Sequence, residues 1–321
     1  MNLSSQLQGH LWTIGLAGKN ILFPPHIPEA SFRWSAHVKS AEGEPVLITG
    51  ELTEVDFARP DTLVLLVHGL GGSAHSAYML DAARQCTRLG WSSLRISLRG
   101  VDSPSNDIYH AGLTADLHQL LLHPSLKKWR RIFVVGFSLG GHLAMKMSTE
   151  SELDPRVQKI AAVCAPIDLV NVIHHIDSPD AWFYREYVLS SLKRHHHELV
   201  RRGHGIAPDY KVRRVHKLRD FDAFVIATRY GFASPEDYYQ SQSVASRLDD
   251  IAVPLLYVGA ESDPMIPSDN CKAALACTSV DTLEVRWLDR GGHVFIPDDV
   301  SLGFGGDSGV IPQILEWFEL D

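Results

Sequence analysis

Residues 132–147 read IFVVGFSLGGHLAMKM: an apolar, β-branched run ends in Gly136-Phe137-Ser138-Leu139-Gly140 and passes at once into an Ala/Met-rich helical pattern. This is G-x-S-x-G in a strand-then-helix setting, where a tight turn lifts the serine hydroxyl clear of the sheet. Glycines flank the serine because a side chain on either side would collide with the neighbouring strand or helix. The stretch predicts a strand over Arg131–Phe137, a helix over Gly140–Glu150, and a nucleophilic serine, Ser138, at the junction.

Outward from this turn the same alternation recurs. Thr62–Val67 is a continuous apolar run of the kind buried on both faces of a parallel sheet. Trp91–Leu98, Gln158–Cys164, Pro254–Gly259 and Thr282–Leu288 read as further strands, with helical spacing over 75–89, 111–123, 268–277 and 311–320. Phe32–Val38 and Pro45–Leu52 read as a hairpin about the turn Ala41-Glu42-Gly43. Strands alternating with helices predict an α/β fold: a mostly parallel, eight-stranded sheet with helices on both faces. Between about 167 and 247 the rhythm breaks. This interval holds no clear buried strand, an aromatic helix-like stretch (Ala181–Leu192), and nine Lys/Arg between Lys193 and Arg219 against Glu198 and Asp209. An insertion of this kind reads as a cap over the site. The expected organisation is a core over 1–166, a cap over 167–247, and the rest of the core over 248–321.

The bulk numbers narrow the function. The chain has 321 residues, 45% hydrophobic and 21% charged, with a formal net charge of -8. That balance argues against a nucleic-acid binder. Cys86, Cys164, Cys271 and Cys277 lack C-x-x-C spacing and read as thiols rather than disulfides or zinc ligands. The first twenty residues show neither the n-region nor the apolar core of a signal peptide. No apolar run approaches the length of a membrane span, so a cytoplasmic location is expected. His195-His196-His197 are consecutive, and three consecutive helical residues cannot converge on one ion. They read as part of a solvated basic face. That face would also suit transient contact with anionic lipid headgroups or an acyl-carrier partner.

A serine hydroxyl is a weak nucleophile at neutral pH and needs a base, which in turn needs an orienting acid. In this architecture the acid and then the histidine follow the serine, each in a loop after a strand. Pro254–Gly259 leads to Ala260-Glu261-Ser262-Asp263-Pro264, and Thr282–Leu288 leads to Gly291-Gly292-His293. Asp263 is the expected acid, with Glu261 and Asp168 as substitutes, and His293 is the expected base. A tetrahedral intermediate needs two amide donors for its oxyanion. Leu139, directly after the serine at a helix N-terminus, should supply one. Leu70, in His68-Gly69-Leu70-Gly71-Gly72-Ser73 after the Thr62–Val67 strand, should supply the other, with His68 holding the loop. The sequence lacks G-x-x-x-x-G-K-[ST] and a well-placed G-x-G-x-x-G, so a nucleotide site is not expected. The chemistry calls for no cofactor and no metal.

With these residues placed, the chain resembles the α/β-hydrolase superfamily, in its YheT-like, ABHD-type branch. The segments that carry the resemblance are HGLGGSAHSAY (68–78), SLRG (97–100), IYHAG (108–112), GFSLGG (136–141), FDAFVIATRYGFASPEDYY (221–239), ESDPMIP (261–267) and GGHVF (291–295). The resemblance implies an α/β-hydrolase fold and a Ser–Asp–His triad falling on Ser138, Asp263 and His293. It also implies action on carboxylic esters of short to medium acyl chains, or on acylglycerols. Two rivals stand beside ester hydrolysis. One is an acyltransferase using the same triad, which the H-x-x-x-x-D spelling of His293 to Asp298 also matches. The other is a non-catalytic, hydrolase-like binding protein. Trp182, Phe183 and Tyr184 either line an acyl pocket or pack the cap onto the core.

Overall fold

In Thr62–Val67, strand β3, every side chain is buried, and successive residues enter opposite cores. Leu63, Leu65 and Val67 join one cluster, and Val64 and Leu66 join the other. The period of two inside a continuous apolar run is what a doubly covered parallel strand requires. The computed structural model describes residues 8–13, 31–40, 42–55, 59–102 and 105–320. Ala41 of the expected hairpin turn, and the expected signal-free N-terminus apart from 8–13, lie outside the described residues.

The other strands are β1 (Ser31–Lys39), β2 (Pro45–Thr53), β4 (Ser92–Ser97), β5 (Arg131–Phe137), β6 (Val157–Val163), β7 (Leu255–Ala260) and β8 (Leu283–Leu288). They form an 8-stranded sheet in the order β1-β2-β4-β3-β5-β6-β7-β8. β1 and β2 pair antiparallel, as do β2 and β4, and every other pairing is parallel. The order reverses at β3, which lies between β4 and β5. Ligands bind at such a switch point, outside the carboxyl ends of the strands.

Helices cover both faces. α1 spans residues 8–13. α2 (Ala77–Arg88) sends Met79, Ala82, Ala83 and Cys86 into the core shared with α12 (Val310–Glu319), where Trp91, Phe133 and Phe318 also meet. α3 (Ala115–Leu121) and the wholly buried α4 (Leu139–Ser148) cover the opposite face, and α11 (Ser268–Leu275) follows β7. α3 starts four residues later than the helical spacing suggests. The backbone N–H of Ala111 donates to the Tyr238 hydroxyl at 2.8 Å, so this stretch is satisfied from across the fold instead of by a helical turn.

Between β6 and β7 lie α5 (Leu169–Ile176), α6 (Trp182–Arg201), α7 (Asp209–Arg213), α8 (Leu218–Phe221), a π-helical turn (Asp222–Ala227), α9 (Thr228–Tyr230) and α10 (Pro235–Gln242). α6 runs nine residues past Leu192, where the aromatic pattern fades. Val188, Leu189, Leu192, His196 and Leu199 continue a buried stripe at helical spacing. This corrects the reading of the histidine triplet as one solvated face: His196 is fully buried, and only its neighbours reach toward the surface. A buried ionic knot ties this insertion to the core. The Arg99 guanidinium donates to Asp107 (2.7 Å) and Asp116 (Nε, 3.0 Å), and Arg229 of α9 reaches Asp107 (2.8 Å) and Glu42 (2.6 Å).

Candidate active site

The register of β3 against β5 places Val67 opposite Gly136, so the loops that leave these two strands meet. Ser138 sits on the turn with φ 52° and ψ −120°, and its amide donates to Val163 O at 2.8 Å. A non-glycine residue with positive φ is a strained conformation of the kind found at functional sites. The glycines around it are sterically required. A Cβ on Gly136 would lie 2.3 Å from Gly140 O, and one on Gly140 would lie 2.3 Å from Val67 O.

Ser138 Oγ lies 2.9 Å from His293 Nε2, and His293 Nδ1 lies 2.9 Å from Asp263 Oδ2. An ionised carboxylate only accepts, so Nδ1–H donates to Asp263 and leaves Nε2 as the acceptor for the serine hydroxyl. Asp263 is fixed through its second oxygen, which accepts from the amides of Met265 (2.8 Å) and Ile266 (2.9 Å). Both His293 and Asp263 are buried. The two substitute acids are engaged elsewhere. Glu261 pairs with Lys272 Nζ (2.5 Å), and Asp168 caps α5 by accepting from the Val170 amide (2.9 Å). Asp298, the far end of the H-x-x-x-x-D spelling, is exposed.

The loop after β3 lies against the serine, since a Cβ on Gly69 would stand 2.9 Å from Ser138 Cβ. His68 locks this loop: Leu98 N–H donates to its Nε2 (3.0 Å) and its Nδ1–H donates to Gly69 O (2.7 Å). Burial holds the ring neutral, lowering its pKa to about 4. The Tyr78 hydroxyl takes the Gly69 amide (3.0 Å), and the Tyr109 hydroxyl takes that of Gly71 (2.8 Å). The amides of Leu70 and Leu139 have no acceptor among the described residues.

A contact that the sequence reading missed supports the histidine. The amide of His293 donates to Thr13 Oγ1 at 2.8 Å, which brings α1 into the site from the far end of the chain. No local pattern around Thr13 signals this.

Leu70 and Leu139 also border a small cavity of about 50 Å³ that continues into the β6–β7 insertion between Leu192, Phe221 and Tyr239. Trp182 and Phe183 do not line it; they are 59% and 47% exposed at the start of α6. Tyr184 is buried, with its hydroxyl 2.7 Å from His10 Nδ1 of α1. A larger polar cleft of about 600 Å³ opens beside the same loop, between Gly71, Ser73 and the α6 residues Arg194 and His195.

The family model described as the alpha/beta hydrolase fold matches residues 62–296, from β3 to the loop that carries His293. The chain belongs to the alpha/beta hydrolase fold family. This alpha/beta hydrolase is 26% identical to the Escherichia coli protein YheT, over 97% of its own length and 87% of that protein. It is 23% identical to the Saccharomyces cerevisiae monoacylglycerol lipase, over 74% of its own length and 55% of the lipase, so it spans about half of that relative. The Pyrococcus furiosus esterase Pf2001 shares its fold, with a TM-score of 0.52 at 14% identity, covering 84% of this chain and 89% of the other. The alpha/beta hydrolase is therefore a hydrolase of the YheT- and ABHD-like branch, with esterase- and lipase-named relatives. Among the described residues, no helix is long and apolar enough to cross a membrane.

Proposed function

We propose that this hydrolase cleaves carboxylic esters, of short- to medium-chain acyl groups or acylglycerols, through an acyl-enzyme on Ser138. The observation that carries the reading is the unbroken chain from Ser138 Oγ to His293 Nε2 (2.9 Å) and from His293 Nδ1 to Asp263 (2.9 Å), beside two unpaired amides. His293 takes the hydroxyl proton as Ser138 attacks the ester carbonyl, and Asp263 stabilises the imidazolium that forms. The Leu70 and Leu139 amides receive the oxyanion, reinforced by the N-terminus of α4. The bond to the alcohol breaks as His293 returns the proton to the leaving oxygen. Water, deprotonated by His293, then attacks the acyl-enzyme carbonyl; the bond to Ser138 Oγ breaks as His293 returns the proton to that oxygen, and the acid leaves.

The β6–β7 insertion, residues 167–247, acts in this scheme as the cap. The small cavity takes the acyl chain, and the polar cleft beside Gly71 takes the alcohol part. All four cysteines are thiols, which suits the reducing cytoplasm. The test is hydrolysis of p-nitrophenyl esters of graded chain length by the wild type and by Ser138→Ala. Turnover that falls to background in the variant, with a preference for short chains in the wild type, is expected. Equal turnover in both would overturn the reading.

A further inference from the structure

The cavity under the cap is mostly apolar. The hydroxyls of its three tyrosines each hold a hydrogen bond, Tyr109 with Gly71, Tyr238 with Ala111 and Tyr239 with Asp222. Two further polar side chains, Asp222 and His110, are not used by the hydrolysis scheme. Asp222 opens the π-helical turn, a local irregularity often found at functional sites. It accepts the Tyr239 hydroxyl on Oδ2 at 2.6 Å, and its Oδ1 has no partner among the described residues. His110 stands in the same wall. Its Nδ1 accepts from the Gly112 amide at 3.1 Å, and burial keeps the ring neutral, lowering its pKa to about 3. The proton of a neutral imidazole whose Nδ1 is an acceptor sits on Nε2. That Nε2–H has no acceptor among the described residues.

Above about pH 7, where the Asp222 carboxyl is ionised, the wall of this mostly apolar cavity therefore offers one acceptor and one donor without partners among the described residues. A plain alkyl chain would bury both without partners, which is unfavourable for each. A hydroxyl group can donate and accept at once. The space is small: about 50 Å³ holds about four water-sized groups, enough for a short chain only.

We infer that this cavity is a hydroxyacyl pocket, selecting esters of short carboxylic acids whose acyl chain carries a hydroxyl that donates to Asp222 Oδ1 and accepts from His110 Nε2–H. The inference rests on the ester-hydrolase reading and gives its substrate class. A site built to hydrogen-bond a substrate hydroxyl rejects the analogue that lacks it far better than an apolar pocket rejects an extra methylene.

The experiment reads binding without turnover, by calorimetry on the Ser138→Ala chain at about pH 8, where Asp222 is ionised. Ethyl 3-hydroxybutanoate and ethyl 6-hydroxyhexanoate are compared with ethyl butanoate and ethyl hexanoate. At least one hydroxylated ester should bind about tenfold tighter than its plain parent or better. Adding Asp222→Leu, or separately His110→Phe, should erase that preference while the plain esters bind as well as before or better. Plain esters that match their hydroxylated partners, or no binding by any of the four, would overturn the inference. So would an Asp222→Leu change that weakens both kinds equally, because that marks a packing role alone. Failure of the ester-hydrolase reading shows elsewhere, as full p-nitrophenyl ester turnover in Ser138→Ala.

Discussion

The amide of His293 donates to Thr13 Oγ1 at 2.8 Å, and the Thr13 hydroxyl donates onward to Gly9 O at 2.9 Å. α1 fits tightly between the two loops that carry the histidine and its acid. A Cβ on Gly292 would stand 2.1 Å from Thr13 Oγ1, and one on Gly9 would stand 1.7 Å from Ser262 O. In the proposed mechanism Thr13 is a positioning residue, acting through His293 without touching the reacting atoms. Thr13→Val keeps the volume and removes the acceptor. Small misplacements of a catalytic group cost up to about 10²-fold in rate, so kcat should fall toward that figure with KM little changed. Thr13→Ser should restore it. A kcat unchanged in Thr13→Val would show that the histidine loop holds without α1.

Asp263→Asn tests the orienting acid. The asparagine keeps the size of the side chain but cannot stabilise an imidazolium, and the equivalent change in a serine protease lowers kcat by about 10⁴-fold. A loss of that order is expected here, from steady-state hydrolysis of a p-nitrophenyl ester. Glu261→Gln should leave the rate unchanged, because Glu261 spends its charge on Lys272.

What the sequence discloses follows contact range. The serine turn is legible because Gly136, Ser138 and Gly140 are local and sterically obligatory, and β3 because its six residues are all apolar or β-branched. The loops ending in Asp263 and His293 are legible from their order after strands. Thr13 is invisible for the opposite reason, since its contact spans 280 residues and leaves no mark on its neighbours. The start of α3 is misjudged for a similar cause, because Tyr238, 127 residues on, takes the Ala111 amide. Trp182 and Phe183 mislead because aromatic residues at helical spacing describe a face without saying what lies against it.

The ionic knot makes a stability prediction. Arg99 is almost completely buried between Asp107 and Asp116, and Arg229 reaches the same Asp107 from α9. Removing one partner from a buried ion pair strands the others and costs about 3–5 kcal/mol. Arg99→Met should lower the urea-unfolding free energy by about that amount. Arg229→Met, whose side chain is partly in solvent, should cost less and should speed proteolysis within 167–247. Equal urea midpoints for wild type and Arg99→Met would show that the buried pairs of Arg99 add nothing to stability.

Asp222 should leave a signature in the pH dependence of stability. Burial raises its carboxyl to about 7, against the hydrogen bond from Tyr239, which pulls the other way. Between about pH 4 and 7 the folded chain therefore holds a proton that the unfolded chain has released. Stability from this group falls as pH rises through that window, by up to about 1.4 kcal/mol per pH unit. Asp222→Asn removes the titration, so its stability relative to the wild type should improve steadily from pH 4 to pH 7. Parallel curves for the two proteins would show that Asp222 titrates normally.

In the proposed mechanism Ser138, set against His293 at 2.9 Å, is the nucleophile. The most direct measurement is labelling with a fluorophosphonate, followed by peptide mass spectrometry to locate the adduct. One phosphonylated residue, Ser138, is expected, with labelling lost in Ser138→Ala and strongly slowed in His293→Ala. An adduct on another residue, or no adduct on the folded wild type, would contradict that mechanism.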